Sequence, residues 1–179
     1  MQELKMENII TGLDGSVTEG KGAYSFAVFT KKAEPLYQHH GPVHGDSDQQ
    51  YSTRSELHGI LGLVLYLKHV AVKYSLKGDY PSIRILGDNM ESLRVSREGP
   101  SFSLKNTFSS DMDMAFELMH QIRNHPLKFE FEHVKSHQDD VMAYDDLSVE
   151  AKVNVQCDRC VGEYFSKPMT GCVPHNMKI

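Results

Sequence analysis

The sequence contains no tryptophan and only three cysteines among its 179 residues. So few cysteines, and an odd number of them, cannot build a disulfide framework for a chain this long, so a reducing, intracellular setting (cytoplasm or nucleus) is expected. No charged-then-apolar leader opens the sequence, which points the same way. The longest apolar run is the eight residues 60–67, against the roughly 18–20 that a membrane-spanning helix needs, so no membrane role is expected. A basic excess is missing too: 19 Lys and Arg stand against 24 Asp and Glu, a net charge of −5. Proteins that hold nucleic acid by bulk charge are normally strongly basic. Any nucleic-acid role must therefore rest on a local site, with metal ions as a source of positive charge. The acidic excess sits in one stretch (Asp139, Asp140, Asp145, Asp146, Glu150) with no Lys or Arg, and the rest of the chain is neutral.

What is present reads as one globular domain over residues 1–165, followed by a loose tail at 166–179 with two prolines and a glycine. Residues 8–14 read as a strand ending at a turn Asp14-Gly15-Ser16. Residues 23–30 form a second strand with Tyr24, Phe26 and Val28 on one face, and a third follows around 36–40. After a polar loop, residues 53–70 read as a helix apolar on nearly every side, with Ser52 or Thr53 as N-cap and Glu56 at capping-box spacing. Gly59 and Gly62 inside it require close packing by a neighbour. A fourth strand at 82–86 ends at Gly87-Asp88, and short and longer helices follow at 89–97 and 107–124. The longer one turns Met112, Ala115, Phe116, Met119 and Ile122 inward. Residues 127–134 form a fifth strand. The last helix, 148–165, carries a core stripe of Val149, Val153, Cys157, Cys160, Val161 and Tyr164. This order predicts an α/β fold: a five-stranded mixed sheet with helices on both faces.

Four acidic residues stand where a metal site would need them. Asp14 and Asp88 end strands that a strand–helix–strand crossover brings side by side, at the carboxyl edge where open α/β sheets bind ligands. Glu56 lies in the first turn of the long helix, and Asp158 lies on the last helix, sharing a face with Asn154. Carboxylates gathered at one spot repel unless cations neutralise them. Hard oxygen ligands suit Mg²⁺ or Mn²⁺.

Five motifs in order then complete a resemblance: Leu-Asp14-Gly-Ser, Thr53-Arg-Ser-Glu56-Leu, Gly-Asp88-Asn, His133-Val-Lys-Ser-His137 and Asn154-Val-Gln-Cys-Asp158. Over residues 8–165 the chain resembles type 1 ribonuclease H domains, more those attached to reverse transcriptases of retroelements than free-standing cellular enzymes. That resemblance implies a ribonuclease H-like fold and cleavage of the RNA strand of RNA·DNA hybrids by two-metal-ion hydrolysis, leaving a 3′-hydroxyl and a 5′-phosphate. It implies Asp14, Glu56, Asp88 and Asp158 as ligands of two Mg²⁺ or Mn²⁺ ions, with His137 on a loop aiding proton transfer or product release. It places substrate contacts at Gly15, Ser16, Ser52, Thr53, Asn89 and Asn154. The chain lacks the basic insertion that some cellular members use for grip, and Ser52 and Thr53 stand where those members often carry asparagines. Weak hybrid binding by the isolated domain is therefore expected, with a reverse transcriptase domain of the same polyprotein as a partner. The alternative expectation is a catalytically inactive structural or hybrid-binding module. A transposase or integrase of related fold is disfavoured by the absence of a basic surface.

Two further features remain. Cys157-x₂-Cys160 followed by Cys172-x₂-His175 has formal zinc-ligand spacing, but both helix cysteines fall on the core stripe, where cysteine packs as a small hydrophobe. Lys68, Lys73, Lys77, Arg94 and Arg97 form either a phosphate-contacting surface or a solvated face.

Overall fold

The structure is a computed structural model describing residues 9–45, 50–76, 81–100 and 111–166. The elements run β1 (Ile9–Thr18), β2 (Lys21–Thr30), β3 (Pro35–Pro42), α1 (Ser52–Lys73), β4 (Ile83–Gly87), α2 (Met90–Glu98), α3 (Met112–Arg123), β5 (Phe129–His133) and α4 (Val149–Ser166). The sheet order is β3-β2-β1-β4-β5. β1–β2 and β2–β3 are antiparallel, whereas β1–β4 and β4–β5 are parallel. The mixed five-stranded sheet is as the sequence predicts. Asn8, residues 107–110, Lys77 and the tail from 167, all parts of sequence-based expectations, lie outside the described residues.

Side-chain alternation splits the sheet into two apolar faces. Leu13, Phe26, Val28 and Ile85 pack against Leu57, Ile60, Leu63, Val64 and Leu67 of α1, with Leu93 of α2 and Leu118 of α3 in the same cluster. Ile10, Ala27, Phe29 and Leu86 pack against Val153 and Cys157 of α4. Helices therefore cover both faces. Each fully buried Leu or Ile contributes about 1.5–3 kcal/mol, and this burial on two sides fixes α1 and α4 over the central strands. Among the described residues no helix is long and apolar enough to cross a membrane.

Three local expectations are corrected. First, Asp14-Gly15-Ser16 is not a turn. β1 runs on to Thr18 because β2 lies opposite throughout, with Asp14 paired to Ser25 and Thr18 to Lys21. The chain reverses at Glu19-Gly20, whose φ values of 51° and 73° suit a two-residue hairpin loop with both central residues left-handed. Second, no capping box forms at α1: its N-cap is Tyr51, without a side-chain cap bond, and Glu56 turns inward instead. Third, α3 buries Met114, Ala115 and Leu118, while Phe116 is 48% exposed. Met114 and Leu118 sit one turn apart on the stripe that meets α1, and Phe116 falls between them on the far side.

The close packing required at Gly59 and Gly62 comes from the sheet, where the Ser25 carbonyl and the Phe26 ring occupy the space a β-carbon would need. The acidic stretch is more than a solvated loop. It forms two short 3₁₀ turns, Gln138–Asp140 and Tyr144–Asp146, and Leu147 with Tyr144 packs on Ala151 and Val155 along the outer flank of α4.

Candidate active site

Two glycines of β1 set the geometry. On one face, a β-carbon at Gly15 would lie 2.5 Å from the Glu56 backbone nitrogen, so the first turn of α1 rests directly on the strand. On the other, a β-carbon at Gly12 would lie 2.4 Å from a Val153 methyl and 3.2 Å from Cys157 Sγ, so α4 comes equally close. Both helices can thus deliver a carboxylate to the rim where β1 and β4 run parallel. Gly15→Ala is expected to push α1 off the strand and destabilise the fold by about 2–3 kcal/mol, read by urea denaturation. Unchanged stability would mean that the helix can shift freely.

At that rim, carboxylate oxygens of Asp14, Glu56 and Asp88 all lie within 4.8 Å of one another. Glu56 is 1% exposed and Asp14 7%. One Glu56 oxygen, Oε1, accepts from the Gly15 N–H at 3.2 Å. The other, Oε2, is buried without a hydrogen-bond partner. A buried unpaired carboxylate oxygen costs several kcal/mol, and three acids this close raise the cost further. Burial, then repulsion from Asp88 and Asp158, pushes the Asp14 carboxyl up to about 7. Burial first, then Asp14 and Asp88, holds Glu56 well above the usual carboxylate range. A cation would relieve both. Oxygen ligands about 2.1 Å from a shared Mg²⁺ stand up to ~4.2 Å apart, so the donor set fits a hard divalent ion with modest tightening.

Asp158 lies outside that tight group and is solvent-exposed. It lines the same cleft, of about 330 Å³, together with Asp14, Glu56, Asp88, His137 and Asn154. Gly15, Ser16, Ser52 and Asn89 line it too. Thr53 does not; its hydroxyl accepts from the side-chain amide of the lining residue Asn89 at 3.4 Å. Asn89 also caps α2, its side-chain oxygen accepting from the Glu91 and Ser92 N–H groups, so its amide has a fixed aim.

Sequence reading missed Ser136, Asp139 and Val155, which complete the lining. Asp139 pairs with Arg159 of α4 at 3.3 Å, and the Arg159 guanidinium lies over the Tyr144 ring. This tethers to α4 the loop that carries His137, itself in left-handed backbone with φ 51°. The only signal in the sequence was Asp139 two residues after His137, hidden among other loop acids. The basic candidates lie elsewhere: Lys68 donates to Gln121, and Arg94 pairs with Glu91 and Glu98 of its own helix.

No protein-family model matches the chain, and no curated protein matches it in sequence. Solved structures do match. A ribonuclease H1 isolated from compost by a metagenomic approach, LC11-RNase H1, superposes with a TM-score of 0.63 at 12% identity, covering 88% of this chain and 94% of that one. The same protein in complex with an RNA/DNA hybrid gives 0.63 at 11% identity, over 87% and 94%. The N-terminal RNase H domain of a Mycobacterium tuberculosis protein gives 0.50 at 12% identity, over 87% and 97%. At such identities the likeness establishes the fold: the chain has a ribonuclease H-like fold.

Proposed function

We propose that this chain is a metal-dependent endonuclease that cleaves the RNA strand of RNA·DNA hybrids. The observation that carries the reading is the buried, unpartnered Glu56 Oε2 facing Asp14 and Asp88, a costly arrangement that a bound cation would turn into a ligand set. The neighbour solved with an RNA/DNA hybrid supports the substrate class. Asp14, Glu56 and Asp88 would hold one Mg²⁺ or Mn²⁺ ion, and Asp14 with Asp158 a second. Such an ion pair, when bound, activates a water and stabilises the leaving oxygen of a phosphodiester.

The chain's own residues do the rest. The amides of Asn89 and Asn154, the hydroxyls of Ser16 and Ser52, and the Gly15 backbone would seat the sugar–phosphate strand and read 2′-hydroxyls. As water oxygen bonds to phosphorus and the bond to the 3′ oxygen breaks, that oxygen takes a proton, giving a 3′-hydroxyl and a 5′-phosphate. His137, on its tethered loop, would deliver that proton or ease product release. His137→Ala should lower kcat roughly 10²-fold with little change in hybrid affinity, measured by single-turnover kinetics and binding titration. A weakened affinity with unchanged kcat would move His137 to a binding role.

Hybrid, duplex DNA and duplex RNA, each end-labelled, test the reading in Mg²⁺ or Mn²⁺ and then in chelator. Cutting of the hybrid alone, lost in chelator, is expected. Binding without cutting would assign an inactive hybrid-binding module, and cutting or joining of DNA another enzyme class. With net charge −5 and no tryptophan to stack on bases, isolated affinity should be weak. A reverse transcriptase domain of the same polyprotein is the proposed source of further grip.

A further inference from the structure

We propose that Arg159 of α4 is a positioning residue for the cleavage reaction, an assignment that rests on the hybrid-cleavage reading above: paired with Asp139, it holds His137 over the carboxylate cleft. Arg159 Nη2 donates to Asp139 Oδ2 at 3.3 Å, linking α4 to the loop. Asp139 and His137 belong to one small folded unit. The Asp140 N–H donates to the His137 carbonyl, and the Val141 and Met142 N–H groups donate to the Gln138 carbonyl. The Gln138 side-chain amide donates to the Lys135 carbonyl at 2.8 Å. With the turn closed on itself, a restraint on Asp139 is felt two residues away at His137. His137 has φ 51°, left-handed backbone that a non-glycine residue keeps only where its surroundings hold it.

Arg159 is itself braced. Its guanidinium lies 5.1 Å from the centre of the Tyr144 ring, and Lys152 Nζ lies 5.7 Å from the same centre. Gln156 Nε2 donates to the Tyr144 hydroxyl at 2.7 Å and to the Ala33 carbonyl at 3.0 Å, joining the loop to the turn between β2 and β3. Lys152, Gln156 and Arg159 stand at helical spacing i, i+4 and i+7, one stripe of α4, so a single helix face carries the whole brace. The Arg159 side chain nonetheless remains 59% exposed. An exposed ion pair and a cation–π contact are each weak, so the docked loop is favoured by only roughly three- to tenfold. That is enough to set how often His137 is in place, and little enough for the loop to lift between turnovers.

Arg159→Ala should lower kcat roughly three- to tenfold in single-turnover cleavage, with hybrid affinity and melting temperature nearly unchanged. Arg159→Lys, which keeps the charge, should recover most of the loss. Asp139→Asn should match Arg159→Ala, and the double variant should lose no more than either single change. In a His137→Ala background Arg159→Ala should cost nothing further, a result that a merely structural role for Arg159 does not produce. The His137 ring signal, identified by its absence from the NMR spectrum of His137→Ala, should shift in Arg159→Ala and return in Arg159→Lys with no substrate present. An active parent chain matched in rate by Arg159→Ala, additive losses in the double variant, or a further loss in the His137→Ala background would overturn the assignment. A parent chain that leaves the hybrid intact would overturn the cleavage reading instead. The ring signal then decides whether Arg159 holds the loop, and an unshifted signal overturns that as well.

Discussion

Asp14→Asn is expected to lower hybrid cleavage by at least ~10³-fold, about 4 kcal/mol of barrier, while raising the melting temperature of the metal-free protein at neutral pH. The two effects have one cause. Asp14 is buried at the centre of the acidic cluster, in reach of Glu56, Asp88 and Asp158, so it is the ligand both proposed ions would share. Without a cation its charge is a liability, because burial and two neighbouring acids oppose ionisation. The amide keeps the shape, removes the charge and can donate to a Glu56 oxygen. Stabilisation of about 1–2 kcal/mol follows, or roughly 3–6 °C in Tm for a chain of this size. Cleavage assays in Mg²⁺ and thermal melts in chelator measure both. A variant that still cuts, or that melts lower without metal, would sink the shared-ligand reading. A structural role for Asp14 would lower activity and stability together.

The second large effect is a metal requirement that depends on pH. Asp14 titrates near 7 in the folded protein against 3.8 as the ordinary value, and Glu56 is also raised. Between those values the folded state keeps protons that the unfolded chain has released. Stability of the metal-free protein therefore falls as pH rises from about 4 to about 7, by up to ~1.4 kcal/mol per pH unit from Asp14, and Glu56 adds to the fall in the same direction. Below that window both states are protonated, the slope vanishes and the stability is fully present. Divalent ions compete with those protons. At pH 8, Mg²⁺ at a hundred times its dissociation constant should add about 2.7 kcal/mol, roughly 5–10 °C in Tm. At pH 5 it should add almost nothing. Differential scanning calorimetry across this range, with and without metal, decides the matter; a metal shift independent of pH would place the ion away from Asp14 and Glu56.

Much of this was legible along the chain because periodicity is a local signal. Alternation at Tyr24, Phe26 and Val28 marked β2, and the stripe of Val153, Cys157 and Val161 marked α4, since a sheet face and a helix stripe each repeat at their own period. The motif order around Asp14, Glu56, Asp88 and Asp158 likewise pointed to a shared site. The errors arose where a residue serves a distant partner. Asp14-Gly15 carries a strong turn signal, yet the glycine is there because α1 sits 2.5 Å from where its side chain would be. Glu56 has capping-box spacing, yet its carboxylate is drawn inward to the Gly15 N–H. Asp139 looked like one more loop acid until Arg159 of α4 was found beside it.

Sequence alone determined the order of strands and helices, the four acidic residues that the fold gathers around one cleft, and the absence of a basic excess. These follow from local propensity and hydrophobic period, which each segment carries within itself. Tertiary structure decided which oxygen of Glu56 is left without a partner and why Gly12 and Gly15 must be small. Those outcomes depend on how closely α1 and α4 settle onto opposite faces of β1, a fit between segments far apart in the chain that no single segment encodes.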